Sequence, residues 1–143
     1  MVDPDDAPTP ALAERFLLEV AVTTPIVVGT LATGGVREYH AACDGRLHGE
    51  GLEGTVIGGG ETLLRRPDGI GVLEANFLVQ TADGAILRII GTGYRTQEGP
   101  FTGTRMTIVF EVDEAGPHAP LSTRAYVAER PSGSDRYTIA EIV

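Results

Sequence analysis

The chain contains no lysine, no tryptophan and a single cysteine, and no apolar run near the roughly 18 residues that a membrane-spanning helix needs. Each absence removes a class. A lone Cys43 cannot form an internal disulfide, so the fold is no disulfide scaffold and suits a reducing compartment. Positive charge rests on arginine alone, 11 residues against 20 acidic ones, for a net charge of −9. That balance lacks the basic footprint that grips a phosphate backbone and argues against a nucleic-acid partner. The opening residues, MVDPDDAPTPALAER, have neither the basic start nor the apolar stretch of a secretory signal. Residues 1–13 therefore read as a flexible, acidic, proline-bearing tail ahead of a single domain over 14–143. The location expected from these features is the cytoplasm, with no membrane partner.

Glycine is what the chain has in excess. Its 19 Gly and 9 Pro in 143 residues favour frequent turns and an all-β fold. Gly49, Gly51 and Gly54 spell G-x-G-x-x-G, the fingerprint of a dinucleotide-binding loop. That loop works only where a helix N-terminus follows to present its amides to the pyrophosphate. Here Thr55-Val56-Ile57 and Gly58-Gly59-Gly60 follow, and β-branched residues running into three glycines cannot open a helix. The segment reads instead as strand, with bulges and corners at 49, 51, 54 and 58–60.

Three Asp-Gly pairs, Asp44-Gly45, Asp68-Gly69 and Asp83-Gly84, carry the hairpin-turn signal. Around them the pattern predicts strands at about 15–22, 36–43, 46–57, 62–66, 71–81, 85–94, 104–112, 121–129 and 136–142. Pro10–Arg15 is the one helix-compatible piece and is too short to hold. In the 71–94 hairpin, Leu73, Ala75, Phe77 and Val79 share one face and Glu74, Asn76, Leu78 and Gln80 the other. Across the turn, Ile86, Arg88, Ile90, Thr92 and Tyr94 lie opposite Leu87, Ile89, Gly91 and Gly93. Alternation does not say which face is inside. The glycine corners favour a single closed antiparallel β-barrel of about eight strands over a sandwich.

The order of elements resembles the domain-of-unknown-function family 3237, small bacterial and fungal β-barrel proteins. The residues that carry the resemblance are Pro25-Ile26-Val27-Val28-Gly29-Thr30 with Gly35 and Arg37, Gly49-Glu50-Gly51-Leu52-Glu53-Gly54, Gly58-Gly59-Gly60-Glu61, Arg66-Pro67-Asp68-Gly69, and Leu73-Glu74-Ala75 with Thr81-Ala82-Asp83-Gly84-Ala85. The resemblance implies an eight-stranded barrel with a cavity of small-molecule size, a homodimer or higher homo-oligomer, and no metal or organic cofactor. It implies no activity. Two positions depart from it: Glu61-Thr62 stands where an Asp and an aromatic are more usual, and Asn76 where Arg is common.

Chemistry inside such a barrel would rest on Glu61, aimed by the flexible glycines before it, on Glu74, and on His40 as general acid–base groups. Asn76, Arg66, Arg88, Tyr94 and Arg105 are the candidates for binding a substrate oxygen. Arg88 sits among Ala85-Ile86-Leu87 and Ile89-Ile90 and needs a carboxylate partner, Glu74 or Glu111, if it is only structural. Tyr39, Tyr94, Tyr126 and Tyr137 are possible phenolic donors. His40 and Cys43, three apart on one strand, point to opposite faces and do not form a couple. No two histidines have metal-ligand spacing, so no metal site is expected. The expected function is a cofactor-independent isomerase, cyclase or lyase acting by acid–base chemistry on a small hydrophobic, aromatic or polyketide-like carbonyl compound in the lumen. A non-catalytic carrier barrel uses the same cavity and is the alternative. A structural β-domain is the third reading, if side chains fill the interior. With no Trp and four Phe, the low aromatic content favours a cavity over a plug.

Overall fold

A computed structural model describes residues 8–143. The described residues form nine antiparallel strands: β1 (Leu12–Val22), β2 (Ile26–Thr30), β3 (Val36–Gly49), β4 (Leu52–Arg65), β5 (Gly71–Thr81), β6 (Ile86–Thr96), β7 (Gly103–Glu111), β8 (Tyr126–Pro131) and β9 (Arg136–Ile142). A short 3-10 helix, Ala119–Thr123, lies between β7 and β8. Neighbouring strands run β1-β9-β8-β7-β6-β5-β4-β3, and β1 pairs back onto β3 to close an eight-stranded barrel. β2 is the extra strand, hung on the first half of β3, with Ile26, Val27 and Val28 exposed. Closure leaves the eight wall strands without a free edge.

Two of the three expected turns form, at Asp68-Gly69 and Asp83-Gly84. The third does not. Asp44-Gly45 lies inside the continuous strand β3, which turns instead at Gly49-Glu50-Gly51. Gly45 is required by space rather than by a turn: a Cβ there would stand 2.4 Å from the Glu19 carbonyl oxygen and 2.8 Å from a Val56 methyl. A bulge at Cys43, where Ala21 pairs with Asp44 but Val22 with Ala42, bends β3 so that one half meets β2 and the other β1. The segments expected as separate strands at 46–57 and 62–66 are divided between β3 and β4, and the glycine run does not interrupt β4. Pro10–Arg15 is not helical, since β1 begins at Leu12. The segment expected as strand 121–129 opens as the 3-10 helix, and β8 starts at Tyr126. Residues 1–7 of the expected tail lie outside the described residues.

Alternation decides the two faces of the wall. In β5, Leu73, Ala75, Phe77 and Val79 are buried, and Glu74, Asn76, Leu78 and Gln80 are exposed. The interior is packed with side chains: Tyr137, Phe77, Phe110, Leu18, Leu47, Leu63, Leu73, Leu87, Ile89, Ile139 and Val79 are all fully buried. The low aromatic content therefore does not signal an empty lumen. Branched aliphatic side chains fill an eight-stranded barrel, whose interior is only wide enough for them. The two ends differ in chemistry. At one end Leu121 of the 3-10 helix is buried beside a cluster of Phe16, Phe110 and Tyr126 rings. At the other, where β4, β6 and β8 end and β3, β7 and β9 begin, the inward positions are polar.

Candidate functional site at the polar mouth

The centre of this mouth is Glu61. The register of β4 against β5 shifts between Val56 and Gly58, so the parity of inward positions changes from Leu52 and Val56 to Glu61 and Leu63. Two residues past the bulged Ile57, Gly59 is the position that admits no side chain: its φ is +94, and a Cβ would fall 1.9 Å from the Asn76 carbonyl oxygen. The consequence of the shift is a carboxylate only 1% exposed. Tyr137 on β9 donates its hydroxyl to Glu61 Oε1 at 2.6 Å. Arg130 Nη1 on β8 stands 3.5 Å from the same oxygen, and Arg95 Nη2 on β6 stands 3.9 Å from Oε2. The Arg130 guanidinium also lies over the Tyr137 ring, 4.5 Å from its centre. Arg95 Nε donates to the buried Thr104 hydroxyl at 3.4 Å.

On β3, His40 is the residue paired with Glu61 across the ladder, and it too is buried. Its Nε2 meets Glu38 Oε2 at 3.1 Å, and Arg65 holds both Glu38 oxygens with a forked grip at 3.2 and 3.3 Å. A carboxylate can only accept, so His40 Nε2 donates in this pair. The Arg65 hydrogen bonds, helped by His40 and opposed by burial, hold the Glu38 carboxyl below its usual range. Tyr137 is pushed far up, first by burial and then by the Glu61 charge, so it stays a hydrogen-bond donor. Burial and the neighbouring charge of Arg130 pull the Arg95 pKa down, against the attraction of Glu61. Two guanidinium groups thus share one buried carboxylate, in a protein that is otherwise strongly acidic. A pocket of about 320 Å³ opens over them, lined by Arg95, Thr104, Arg130, Pro131 and Ser132 among others. That volume is at the lower end for ligand pockets. Chemically, the arrangement offers paired, partly desolvated donors to a negatively charged or carbonyl oxygen.

Of the residues singled out from the sequence, Glu61 and His40 face inward and come together. Glu74, Asn76, Arg88, Tyr94 and Arg105 do not, because each has the opposite parity on its strand and lies on the outer wall. Glu74, Asn76 and Arg88 line an external hollow of about 320 Å³ over the β4 glycines. There Arg88 donates to Asn76 Oδ1 at 2.9 Å and to Glu111 at 2.8 Å, the structural pairing considered for it. Tyr94 and Arg105 border an external groove of about 760 Å³ across β6–β9 and β1, where Arg105 pairs with Glu129 at 3.0 Å. Arg66 is exposed and pairs with Asp68 in the turn. A lumen lined by Glu74, Tyr94 and these arginines is therefore replaced by one lined with aliphatics and closed by Glu61. We place the site at the mouth rather than in the roomier groove because buried, shifted charges converge there.

Arg95, Arg130, Glu38 and Arg65 escaped the sequence reading, although two carried a signal. Arg95 shares parity with Leu87 and Ile89, and Arg130 with Tyr126 and Ala128, so each continues an apolar face. A charged residue at the end of a buried stripe is the mark of a polar cap over a core. No local pattern brings β4, β6, β8 and β9 together.

Comparison with known proteins places this architecture. A conserved protein of unknown function from Rhodopseudomonas palustris superposes with a TM-score of 0.84 at 22% identity, over 96% of this chain and all of the other. A Penicillium herquei protein whose structure is described as that of an enzyme gives 0.75 at 20% identity, over 96% and 98%. A UPF0311 protein of Clostridium acetobutylicum is 32% identical over 84 residues, 58% of this chain. The match spans about half that relative's length, 53%. The model of one protein family matches residues 10–141, and the chain belongs to that family, described as protein of unknown function (DUF3237).

Proposed function

We propose that the polar mouth holds a small, largely hydrophobic molecule by a carbonyl, enolate or carboxylate oxygen and catalyses proton transfer next to it without a cofactor. The observation that carries this reading is the pair of arginines, Arg95 and Arg130, sharing the one buried carboxylate of Glu61. An oxygen entering the pocket would meet donors whose charge is only half matched. As negative charge develops on that oxygen the arginines strengthen their hold, which is how a preorganised donor pair lowers a barrier. Glu61 lies within 4 Å of both arginines and is the carboxylate we assign as the base. Tyr137 holds that base in place, and His40 with Glu38 is a second proton carrier on the adjoining strand. The Penicillium herquei relative described as an enzyme adds modest support, since at 20% identity it speaks to the fold.

The test is deuterium exchange at the carbon beside the carbonyl of phenylpyruvate, followed by NMR in D2O. Enzyme should accelerate the exchange, Glu61→Gln should slow it about 100-fold, and Arg130→Gln should raise KM about tenfold. Exchange no faster than in buffer, together with no binding, would sink the proposal. One observation favours the carrier reading: Glu61 and Tyr137 are 1% and 0% exposed, behind the arginines. Saturable binding lost in Arg130→Gln, without exchange, would select it.

A further inference from the structure

The opposite end of the barrel carries a second feature. Among buried side-chain polar atoms of the described residues, the Tyr126 hydroxyl alone has no hydrogen-bond partner. Tyr126 is 2% exposed. Leaving such a hydroxyl unmatched is costly, and native proteins rarely do so without an occupant for the site. Its ring is held edge-on against Phe110 at 5.0 Å and tilted against Phe16 at 6.1 Å, so the hydroxyl cannot swing out to water. Tyr126 lines a pocket of about 190 Å³ together with Phe16, Leu52, Leu121, Arg15 and Arg124. One water needs only about 10–15 Å³ of such space, so a lone solvent molecule leaves most of it unfilled.

The charges around the pocket are unevenly matched. Arg15 is held by Glu141 at 3.1 Å and by Glu50 at 3.3 Å. His118, also on the wall, is held by Asp83 at 3.1 Å. Arg124 makes no ion pair among the described residues, and it is close enough to Tyr126 to oppose the rise that burial imposes on the phenol pKa. The phenol oxygen can accept from Arg124, whose approach lowers the phenol pKa, but a guanidinium cannot accept, so the phenolic hydrogen and the remaining Arg124 N–H groups still lack an acceptor. Between them an acceptor is missing. Glu50, on the same wall, has φ +48, the one non-glycine residue of positive φ among those described. Its carboxylate is engaged by Arg15.

We propose that this pocket is a binding site for a small monocarboxylate with an apolar or aromatic tail. One carboxylate oxygen accepts from Tyr126 and the other from Arg124, and the tail lies against Phe16, Leu52 and Leu121. The site is separate from the polar mouth, since Arg95 and Arg130 lie at the far end of the same barrel.

The probe is 4-fluorobenzoate, titrated into the full-length protein and followed by fluorine NMR. Saturable binding is expected, weakened at least tenfold by Tyr126→Phe and by Arg124→Gln and unchanged by Arg130→Gln. No saturable binding overturns the site. Binding abolished by Arg130→Gln and untouched by the other two assigns the ligand to the mouth and also overturns it. A second measurement needs no ligand. Tyr126→Phe removes an unmatched hydroxyl and should melt no lower than the parent protein. A lower melting temperature would show that the hydroxyl is already satisfied, against the proposal.

Discussion

Glu61 is the residue on which most of the polar mouth depends. It is a charge taken out of water, and its cost is offset only because Tyr137, Arg130 and Arg95 surround it. Removing the carboxylate leaves a buried phenol without an acceptor and two half-buried guanidinium groups without a counter-charge. Glu61→Ala should therefore cost about 3–5 kcal/mol in urea unfolding, the range for breaking one side of a buried pair. Tyr137→Phe removes one donor while the arginines remain, and about 1–3 kcal/mol is expected. On the outer wall Arg88 and Glu111 make a comparably short pair, yet both are more than a third exposed and water competes for them. Arg88→Gln should change stability by less than about 1 kcal/mol, which separates the two settings in one assay.

Among the elements, β4 shows how glycines place function. The nucleotide-loop pattern Gly49, Gly51, Gly54 falls on the β3–β4 turn and the first residues of β4, where no helix follows. The three glycines after it follow the bulge at Ile57, beyond which the inward positions lead to Glu61. Gly51 has φ +74 and open space beside it, while Gly59 combines φ +94 with a carbonyl oxygen 1.9 Å from where a Cβ would be. Gly51→Ala should cost about 1–2 kcal/mol for the left-handed backbone alone. Gly59→Ala adds a main-chain clash and should cost about 2–5 kcal/mol, with loss of the Tyr137–Glu61 contact. Equal effects of the two in thermal or chemical unfolding would mean that the close backbone approach at Gly59 adds nothing to the cost of its left-handed backbone.

For the whole molecule, the paired and buried groups set limits on pH. The carboxyl of Glu38 is depressed in the folded protein from an ordinary value of 4.5. Its contribution is present above that value and is lost as pH falls through the lower folded pKa. At the alkaline end Tyr137 is raised, by burial and by Glu61, from an ordinary 10.0. Above that value an unfolded tyrosine releases its proton while the folded one keeps it, so stability falls as pH rises. Tyr126 is raised in the same direction by burial. Melting temperatures should thus form a plateau between about pH 5 and pH 9.5 and decline on both sides. Glu38→Gln should flatten the acid limb and Tyr137→Phe should reduce the alkaline one. An alkaline limb unchanged in Tyr137→Phe would contradict the raised phenol.

Composition, glycine content and period-two alternation were enough to indicate an all-β chain, because those are properties of neighbours along a strand, and to favour a barrel, whose closure only the β1–β3 pairing shows. They also divided β5 and β6 into their two faces. Which face turns inward was undecided until the strands closed, since closure alone tells a pleated wall its inside. That one choice moved Glu74, Asn76, Arg88, Tyr94 and Arg105 to the outer surface and kept Glu61 and His40 within. A single-residue bulge reverses the parity of everything after it, so Glu61 could be placed only from the register of β4 against β5. The clustering of Glu61, Arg95, Arg130 and Tyr137 was decided by tertiary structure for the same reason. Their strands are distant in sequence, and only the ring of strands brings their ends to one mouth.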